Sequence, residues 1–435
     1  MNGRIALISE HASPLARPGS TDCGGQNVYV FQIAKHLDQL GFSVDVFTRR
    51  DCRHEPAMLR GPGKVRVWQV DAGPAQFVPK EELLPYMPEF GDQMLRHCRA
   101  HGRFDLMHAN FWMSGLVGCR LKRALRIPLV TTFHALGRVR LKHQGSADRF
   151  PRERLKIEER VVIESDRLIA ECPQDERDQI ELYRADPAKV RVVGCGFDPS
   201  ELWPVDKCYA RSLVKLPQDQ PLVLQIGRLV PRKGVDNVIQ GFAKLIAERG
   251  ISARLAIVGG ESEQPDPHVT PEIGRLTALA QELGVADRVI FTGRRDRKVL
   301  RYYYSAADAF VTTPWYEPFG ITPLEAMACG TPVIGSNVGG IKYTVRDGET
   351  GFLVPPRDPA TLADRLALLL GDAGLLERMG NEAIERVNRS FTWRHIAASI
   401  AGVYQELIRC PKARDESSGE RLSSIPAGLS AGIAK

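Results

Sequence analysis

Glu317 and Glu325, with seven residues between them, bracket the stretch richest in possible chemistry: Glu317-Pro318-Phe319-Gly320-Ile321-Thr322-Pro323-Leu324-Glu325. Before it, Ala309-Phe310-Val311-Thr312-Thr313 reads as a short buried strand. After it, Ala326-Met327-Ala328 continues a helix that Gly330-Thr331-Pro332 ends. The stretch is therefore a strand-to-helix loop and a helix N-terminus. Backbone N–H groups at such an end are unpaired and favour an anion. Gly320 lets a ligand approach the backbone, and Pro323 suits a first helical turn. Amides could hold a phosphate here while the two acids hold sugar hydroxyls. For the glutamate pair alone, a capped helix in an ordinary α/β domain is the plainer reading, and the surroundings decide.

A second charged loop has the same setting. The strand Leu222–Gly227 enters Arg228-Leu229-Val230-Pro231-Arg232-Lys233-Gly234, and a helix follows from Val235 to about Glu248. Arg228 and Lys233 at this spacing can both point at one diphosphate, a reading that the strand–loop–helix setting with glycine on both sides favours over a solvated charge run. Near the N-terminus, the strand Arg4–Ser9 leads through a loop with Pro14, Pro18, Gly19 and Ser20 to Gly24-Gly25-Gln26-Asn27-Val28-Tyr29. A helix to about Leu40 begins there. This is not Gly-x-Gly-x-x-Gly, and the loop is too long for a dinucleotide turn, which disfavours an oxidoreductase. Strands at 105–110 and 128–133 end in polar residues, the second at His134. Ligands in doubly wound folds bind outside the carboxyl ends of strands, so these ends face the cleft. Lys80, in Pro79-Lys80-Glu81-Glu82-Leu83, and Arg154, in a charged helix from Arg152 to Val162, read in isolation as solvated positions with (i, i+4) pairs.

The elements that carry these loops alternate strand and helix across 435 residues, too many for one ordinary core. Hydrophobic content of 43% is normal for a globular protein, and no apolar run is long enough to span a bilayer. Met1-Asn2-Gly3-Arg4 enters a strand at once, so no signal peptide and a cytoplasmic location are expected. Nine cysteines without a Cys-x-x-Cys pair argue against structural zinc and a disulfide framework. A net charge of +7 suits anionic substrates as well as simple solubility. Without a dense basic tract and interleaved aromatics, nucleic-acid binding is disfavoured. A monomer or homodimer is expected.

With its flanks, the Glu317–Glu325 segment resembles the signature of retaining glycosyltransferases of the glycogen-synthase and sucrose-phosphate-synthase type, group 1 or GT4. The match runs through Glu325-Ala326-Met327-Ala328-Cys329-Gly330-Thr331-Pro332-Val333-Ile334, Gly227-Arg228-x4-Lys233-Gly234, Gly24-Gly25-x-Asn27-Val28-Tyr29 and His134-Ala135-Leu136-Gly137. The resemblance covers nearly all of residues 1–409. It implies the GT-B architecture, two Rossmann-like α/β domains facing a cleft. It places an acceptor-binding domain at 1–200, a nucleotide-sugar domain at 201–385 and a helix crossing back at 386–410, while the Ser-, Gly- and Ala-rich composition of 411–435 reads as a disordered tail.

What the resemblance implies for the site is specific. Hexosyl transfer from a nucleoside-diphosphate sugar, with a UDP-sugar put first, would proceed with retention and without a metal or other cofactor. No Asp-x-Asp occurs in the chain. His134, Glu317, Arg228 and Lys233 would be catalytic, with His134 a sugar contact and not a general base. Gly24, Gly25, Arg294, Phe319, Gly320, Ile321 and Glu325 would join Arg228 and Lys233 around the donor. Glu325 would hold the ribose, and Gly339-Gly340 would keep the helix start open to the ligand. Asn27, Lys80 and Arg154 would hold a phosphorylated sugar or cyclitol acceptor, Lys80 and Arg154 as a two-cation clamp. At the positions of Phe111 and Ala135 the inositol-phosphate relatives carry hydroxyl side chains, so an identical acceptor is not implied. A lipid or polysaccharide acceptor, a nucleotide-sugar 2-epimerase and a non-catalytic sugar-nucleotide sensor stay open as alternatives.

Overall fold

The computed structural model of the chain describes residues 2–16 and 24–409. Pro18, Gly19 and Ser20 of the first glycine loop, and the expected tail at 411–435, lie outside the described residues. Near-continuous apolar runs such as Ile5-Ala6-Leu7-Ile8 and Leu222-Val223-Leu224 are buried almost completely, as parallel strands covered on both faces require. The first sheet holds eight strands: β1 (Arg4–Ile8), β2 (Ser43–Arg49), β3 (Met58–Arg60), β4 (Arg66–Val70), β5 (Leu106–Asn110), β6 (Leu129–Thr132), β7 (Arg167–Ala170) and β8 (Val190–Val192). Their order is β3-β4-β2-β1-β5-β6-β7-β8, and only the short edge strand β3 pairs antiparallel. The second sheet is wholly parallel. It holds β9 (Leu222–Ile226), β10 (Arg254–Val258), β11 (Val289–Gly293), β12 (Ala309–Thr312), β13 (Val333–Ser336) and β14 (Gly351–Val354), in the order β11-β10-β9-β12-β13-β14.

Each sheet reverses its winding once, between β1 and β5 and between β9 and β12. Loops leaving the carboxyl ends on either side of such a point diverge and open a crevice. The charged and glycine-bearing loops singled out above follow β1, β9 and β12, and Phe111 follows β5. Topology alone thus brings motifs hundreds of residues apart to one place.

The helix Ala373–Ser390 runs unbroken through residue 385, and the chain crosses at Phe391–Thr392. There the Phe197 N–H donates to the Phe391 carbonyl (2.9 Å), and the Trp393 N–H donates to the Phe197 carbonyl (3.0 Å). The final helix Trp393–Arg409 packs on the helix Gly25–Gln39 of the first unit. Its buried Tyr404 places its hydroxyl 2.6 Å from His108 Nδ1 under β5. The helices Met87–His101, Pro173–Tyr183, Pro271–Glu282 and Arg297–Ala306 are not anticipated by the pattern read above. The first three carry a proline in their first turn, a start signal that was there to read.

Candidate active site

A cavity of about 1170 Å³ lies between the carboxyl ends of the two sheets. On its second-unit wall, Lys233 ends the tight turn Pro231–Lys233 and ion-pairs with Glu317. Burial alone raises the Glu317 carboxyl, but Lys233, Arg232 and Arg228 together hold it below its ordinary value. Arg228 lies against the other unit: a β-carbon on Gly24 would stand 3.9 Å from its Nε. Likewise, a β-carbon on Gly25 would stand 3.6 Å from Ile321 Cδ1. The N-termini of the helices Gly25–Gln39 and Ile321–Ala328 therefore meet across the cavity, with Arg228 and Lys233 on its wall. Two cations and two sets of unpaired helix amides make a site for a polyanion. Gly320 caps the second helix at φ 90°, a conformation that a side chain would strain.

Glu325 also faces the cavity, held from behind. Its Oε2 accepts from the Tyr304 hydroxyl (2.7 Å), and its Oε1 pairs with Arg297 Nη1 (2.8 Å). Arg297 in turn reaches Glu201 (2.7 Å). Phe319 is buried, and a β-carbon on Gly194 of the first unit would come within 2.6 Å of its ring. The adjoining Pro318 carbonyl accepts from Cys172 Sγ (3.3 Å), so the first unit seats this loop. Arg294 is on the wall, its N–H bonded to the Ser262 carbonyl (2.7 Å). Gly339-Gly340 is a correction. It does not border the cavity but underlies Glu317–Phe319, whose backbone any β-carbon there would overlap. These glycines shape the loop from behind.

On the first-unit wall, Phe111 and His134 follow the adjacent strands β5 and β6 with φ of 90° and 58°. Each such conformation costs about 1–3 kcal/mol and persists only where the surroundings hold it. His134 is held on both sides, by Glu171 Oε1 2.9 Å from Nδ1 and by Asn110 Oδ1 3.1 Å from Nε2. Glu171 also accepts from Cys195 Sγ (3.3 Å), and its N–H donates to Asp175 Oδ2 (2.9 Å).

The three acceptor-side residues fare differently. Lys80, on the short turn Lys80–Glu82, borders the cavity. Asn27 also borders it, but its side chain caps its own helix: Oδ1 accepts from the Gly24 N–H (2.9 Å) and Nδ2 donates to the Ser13 carbonyl (2.9 Å). Arg154 is a correction. It is 2% exposed and does not border the cavity. It pairs with Glu158 (2.7 Å) and lies under the rings of Phe111 and Phe150. Burial is the reason: the helix Glu153–Glu164 turns this position inward, against the wall rather than through it.

Other wall residues were not singled out from sequence. His11 Nδ1 lies 2.8 Å from the buried Glu10 carboxylate, which also accepts from Ser114. The polar run Ser9-Glu10-His11 straight after a buried strand was the available signal. Arg140, paired with Asp148 (3.0 Å), and Arg149 lie on the same side as Lys80. Among the described residues, no group of three or more His, Cys, Asp or Glu is placed for a metal ion, and no helix is long and apolar enough to cross a membrane.

Two α/β units facing one cleft, with a polyanion site where their helix N-termini meet, define a glycosyltransferase of GT-B architecture that takes its sugar from a nucleotide sugar. The chain belongs to glycosyltransferase family 4: the family 4 model matches residues 23–201 and the model for glycosyl transferases group 1 matches residues 210–386. It is 39% identical over 414 residues to D-inositol 3-phosphate glycosyltransferase 2 of Catenulispora acidiphila, covering 93% of this chain and 95% of that one. It is 38% identical over 427 residues to D-inositol 3-phosphate glycosyltransferase of Acidothermus cellulolyticus, covering 97% and 93%. Among solved structures it resembles sucrose-phosphate synthase from Thermosynechococcus elongatus, with a TM-score of 0.85, 35% identity and 94% and 99% coverage. The fold also matches HepE of Anabaena, a structure in complex with UDP and glucose, with a TM-score of 0.72, 21% identity and 93% and 100% coverage.

Proposed function

We propose that this protein is a retaining, metal-independent hexosyltransferase whose donor is a UDP-sugar and whose acceptor is a sugar phosphate or cyclitol phosphate. The observation that carries this reading is the Lys233–Glu317 pair at the mouth of the helix Ile321–Ala328, with Arg228 alongside against Gly24. When the glycosidic bond breaks, negative charge builds on the departing diphosphate. Preorganised donors aimed at that charge lower the barrier, and Arg228, Lys233 and the amides after Phe319 supply them. Glu317, kept ionised by its cations, accepts from hydroxyls of the transferred sugar. Glu325, fixed by Tyr304 and Arg297, accepts from the ribose. Arg294 lies toward the base.

His134 acts as a sugar contact. Both its ring nitrogens face partners, Glu171 and Asn110, which supports that role over a general base. Attack comes from the face that the diphosphate leaves, and the leaving phosphate takes the acceptor's proton. The D-inositol 3-phosphate glycosyltransferases and the sucrose-phosphate synthase reported above are named for phosphorylated compounds, and Lys80 and Arg149 bring cations to the acceptor side.

The test is product formation by mass spectrometry without added metal. UDP-glucose, UDP-N-acetylglucosamine, GDP-mannose and ADP-glucose are crossed with fructose 6-phosphate, glucose 6-phosphate and inositol phosphate, plus unphosphorylated controls. One disaccharide phosphate or glycosylated cyclitol phosphate, with its anomeric configuration retained by NMR, is expected. Transfer only to unphosphorylated controls would sink the acceptor reading, and an inverted product the mechanism.

A further inference from the structure

Glu317 sits on a loop of the second unit, yet the first unit holds that loop on both sides of the carboxylate. Before it, Tyr316 is 6% exposed. Its hydroxyl accepts from Gln144 Nε2, and its ring stacks on His143 with centroids 5.0 Å apart and planes at 24°. After it, the Pro318 carbonyl accepts from Cys172 Sγ (3.3 Å), and the Phe319 ring lies against Gly194. Glu317 itself is tied to Lys233 of its own unit.

The grip on Tyr316 comes from one short helix. Gly137–Gln144 begins just after His134-Ala135-Leu136 and stops at Gly145, which has a φ of 55°. Its eight residues make a strut of about 12 Å. The strut starts beside His134 on one wall and ends on the neighbour of Glu317 on the other. Burial first, then Lys142 and Arg357, hold His143 below its ordinary value, so a neutral ring meets Tyr316. From the second unit, the Arg232 guanidinium lies 5.4 Å from the Tyr316 ring centroid, and the Trp315 N–H donates to the Arg232 carbonyl (2.9 Å). Tyr316 is therefore backed by the same turn that carries Lys233. Gln144, Arg232 and Tyr316 all border the cavity.

We propose that His143 and Gln144 are positioning residues. With Tyr316 they form a latch between the units that sets Glu317 against the same sugar as His134. The stack and the hydrogen bond form only when the two units stand this close, so the sugar site is complete only in that arrangement. The kinetic consequence rests on the reading of Glu317 and His134 as contacts of the transferred sugar; the latch itself does not.

The experiment joins a double-mutant cycle to fluorine NMR in the full chain. Gln144→Ala, Tyr316→Phe and the double variant are compared with wild type for UDP-glucose hydrolysis without acceptor and for UDP affinity by calorimetry. In protein labelled with 3-fluorotyrosine, the Tyr316 signal, assigned with Tyr316→Phe, reports the contact directly. Gln144→Ala and His143→Ala should each move that signal. Gln144→Ala and Tyr316→Phe should each slow hydrolysis about fivefold, the worth of one hydrogen bond. The double variant should be no slower than the slower single one, because both changes break the same bond. UDP affinity should stay within about twofold, since UDP carries no sugar to align. A Tyr316 signal unmoved by either change overturns the latch. Losses that multiply in the double variant, or wild-type hydrolysis in all three, overturn the positioning role. So does a loss of UDP affinity as large as the loss of rate, because Gln144 and Tyr316 would then be nucleotide ligands. Should wild type leave UDP-glucose intact, the donor reading fails, and the fluorine signal alone decides the latch.

Discussion

Replacing Asp175 tests how the His134 side of the site is held. Asp175 is half-buried behind Glu171, and its carboxyl accepts from the Glu171 N–H (2.9 Å) and from Gln179 Nε2 (3.1 Å). Burial first, then the neighbouring Glu171 charge, pushes it up to about 8. An ordinary aspartate titrates near 4. A carboxyl raised in this way binds its proton more tightly folded than unfolded. Its contribution to stability is full below about pH 4 and is lost as pH rises toward 8. Each pH unit in that window is worth about 1.4 kcal/mol. Between pH 6 and 8 the wild type should therefore lose about 2–3 kcal/mol through this one group. Asp175→Asn keeps an acceptor oxygen for both donors and has no proton to lose. Urea denaturation of both proteins at pH 6, 7 and 8 should show the variant gaining on wild type by that amount. Taking the difference cancels the other titrating groups, including those around Lys233. Parallel curves of stability against pH would refute the argument that Asp175 is protonated near neutrality. They would mean instead that Glu171 and Asp175 are both charged beside His134.

Three further expectations follow from other contacts. Lys233→Met removes a cation at the polyanion site and should lower kcat/KM by about 100-fold or more, with weaker UDP binding by calorimetry; unchanged UDP affinity would place the diphosphate elsewhere. Burial lowers His108 to about 3, so it is a neutral ring that hydrogen-bonds to the Tyr404 hydroxyl. Tyr404→Phe leaves that nitrogen unpaired in the core and should cost about 1–3 kcal/mol in urea denaturation; a much smaller loss would mean that water reaches it. Gly340→Ala forces a β-carbon into the Phe319 backbone and should cost about 1–3 kcal/mol, with UDP binding weakened alongside, whereas intact binding would show that the loop tolerates displacement.

The donor half of the site was legible because each part of it is local. Arg228 and Lys233, or Glu317 and Glu325, each belong to one strand–loop–helix unit, where a few residues set both the turn and the side chains it presents. Alternation of such units determined the α/β class, and the apolar runs marked most of the strands. The acceptor half was less legible because burial, pairing and capping there depend on distant chain. Nothing in Arg152–Val162 says which face turns inward, and only packing put Arg154 behind Phe111 instead of beside Lys80. Asn27 has the residue type of a ligand contact, yet the loop from Ser13 makes it a cap.

What the sequence by itself determined, then, are the charged loops, the helix ends that they feed and the parallel sheets that carry them, since all of these follow from short-range spacing. What only the tertiary structure decided is which groups share one electrostatic environment. The Glu171–His134 contact spans 37 residues and the Lys233–Glu317 pair 84. Such pairings form only after strand order has placed the carboxyl ends side by side, and desolvation then determines which charges stay, which are neutralised and which serve as struts.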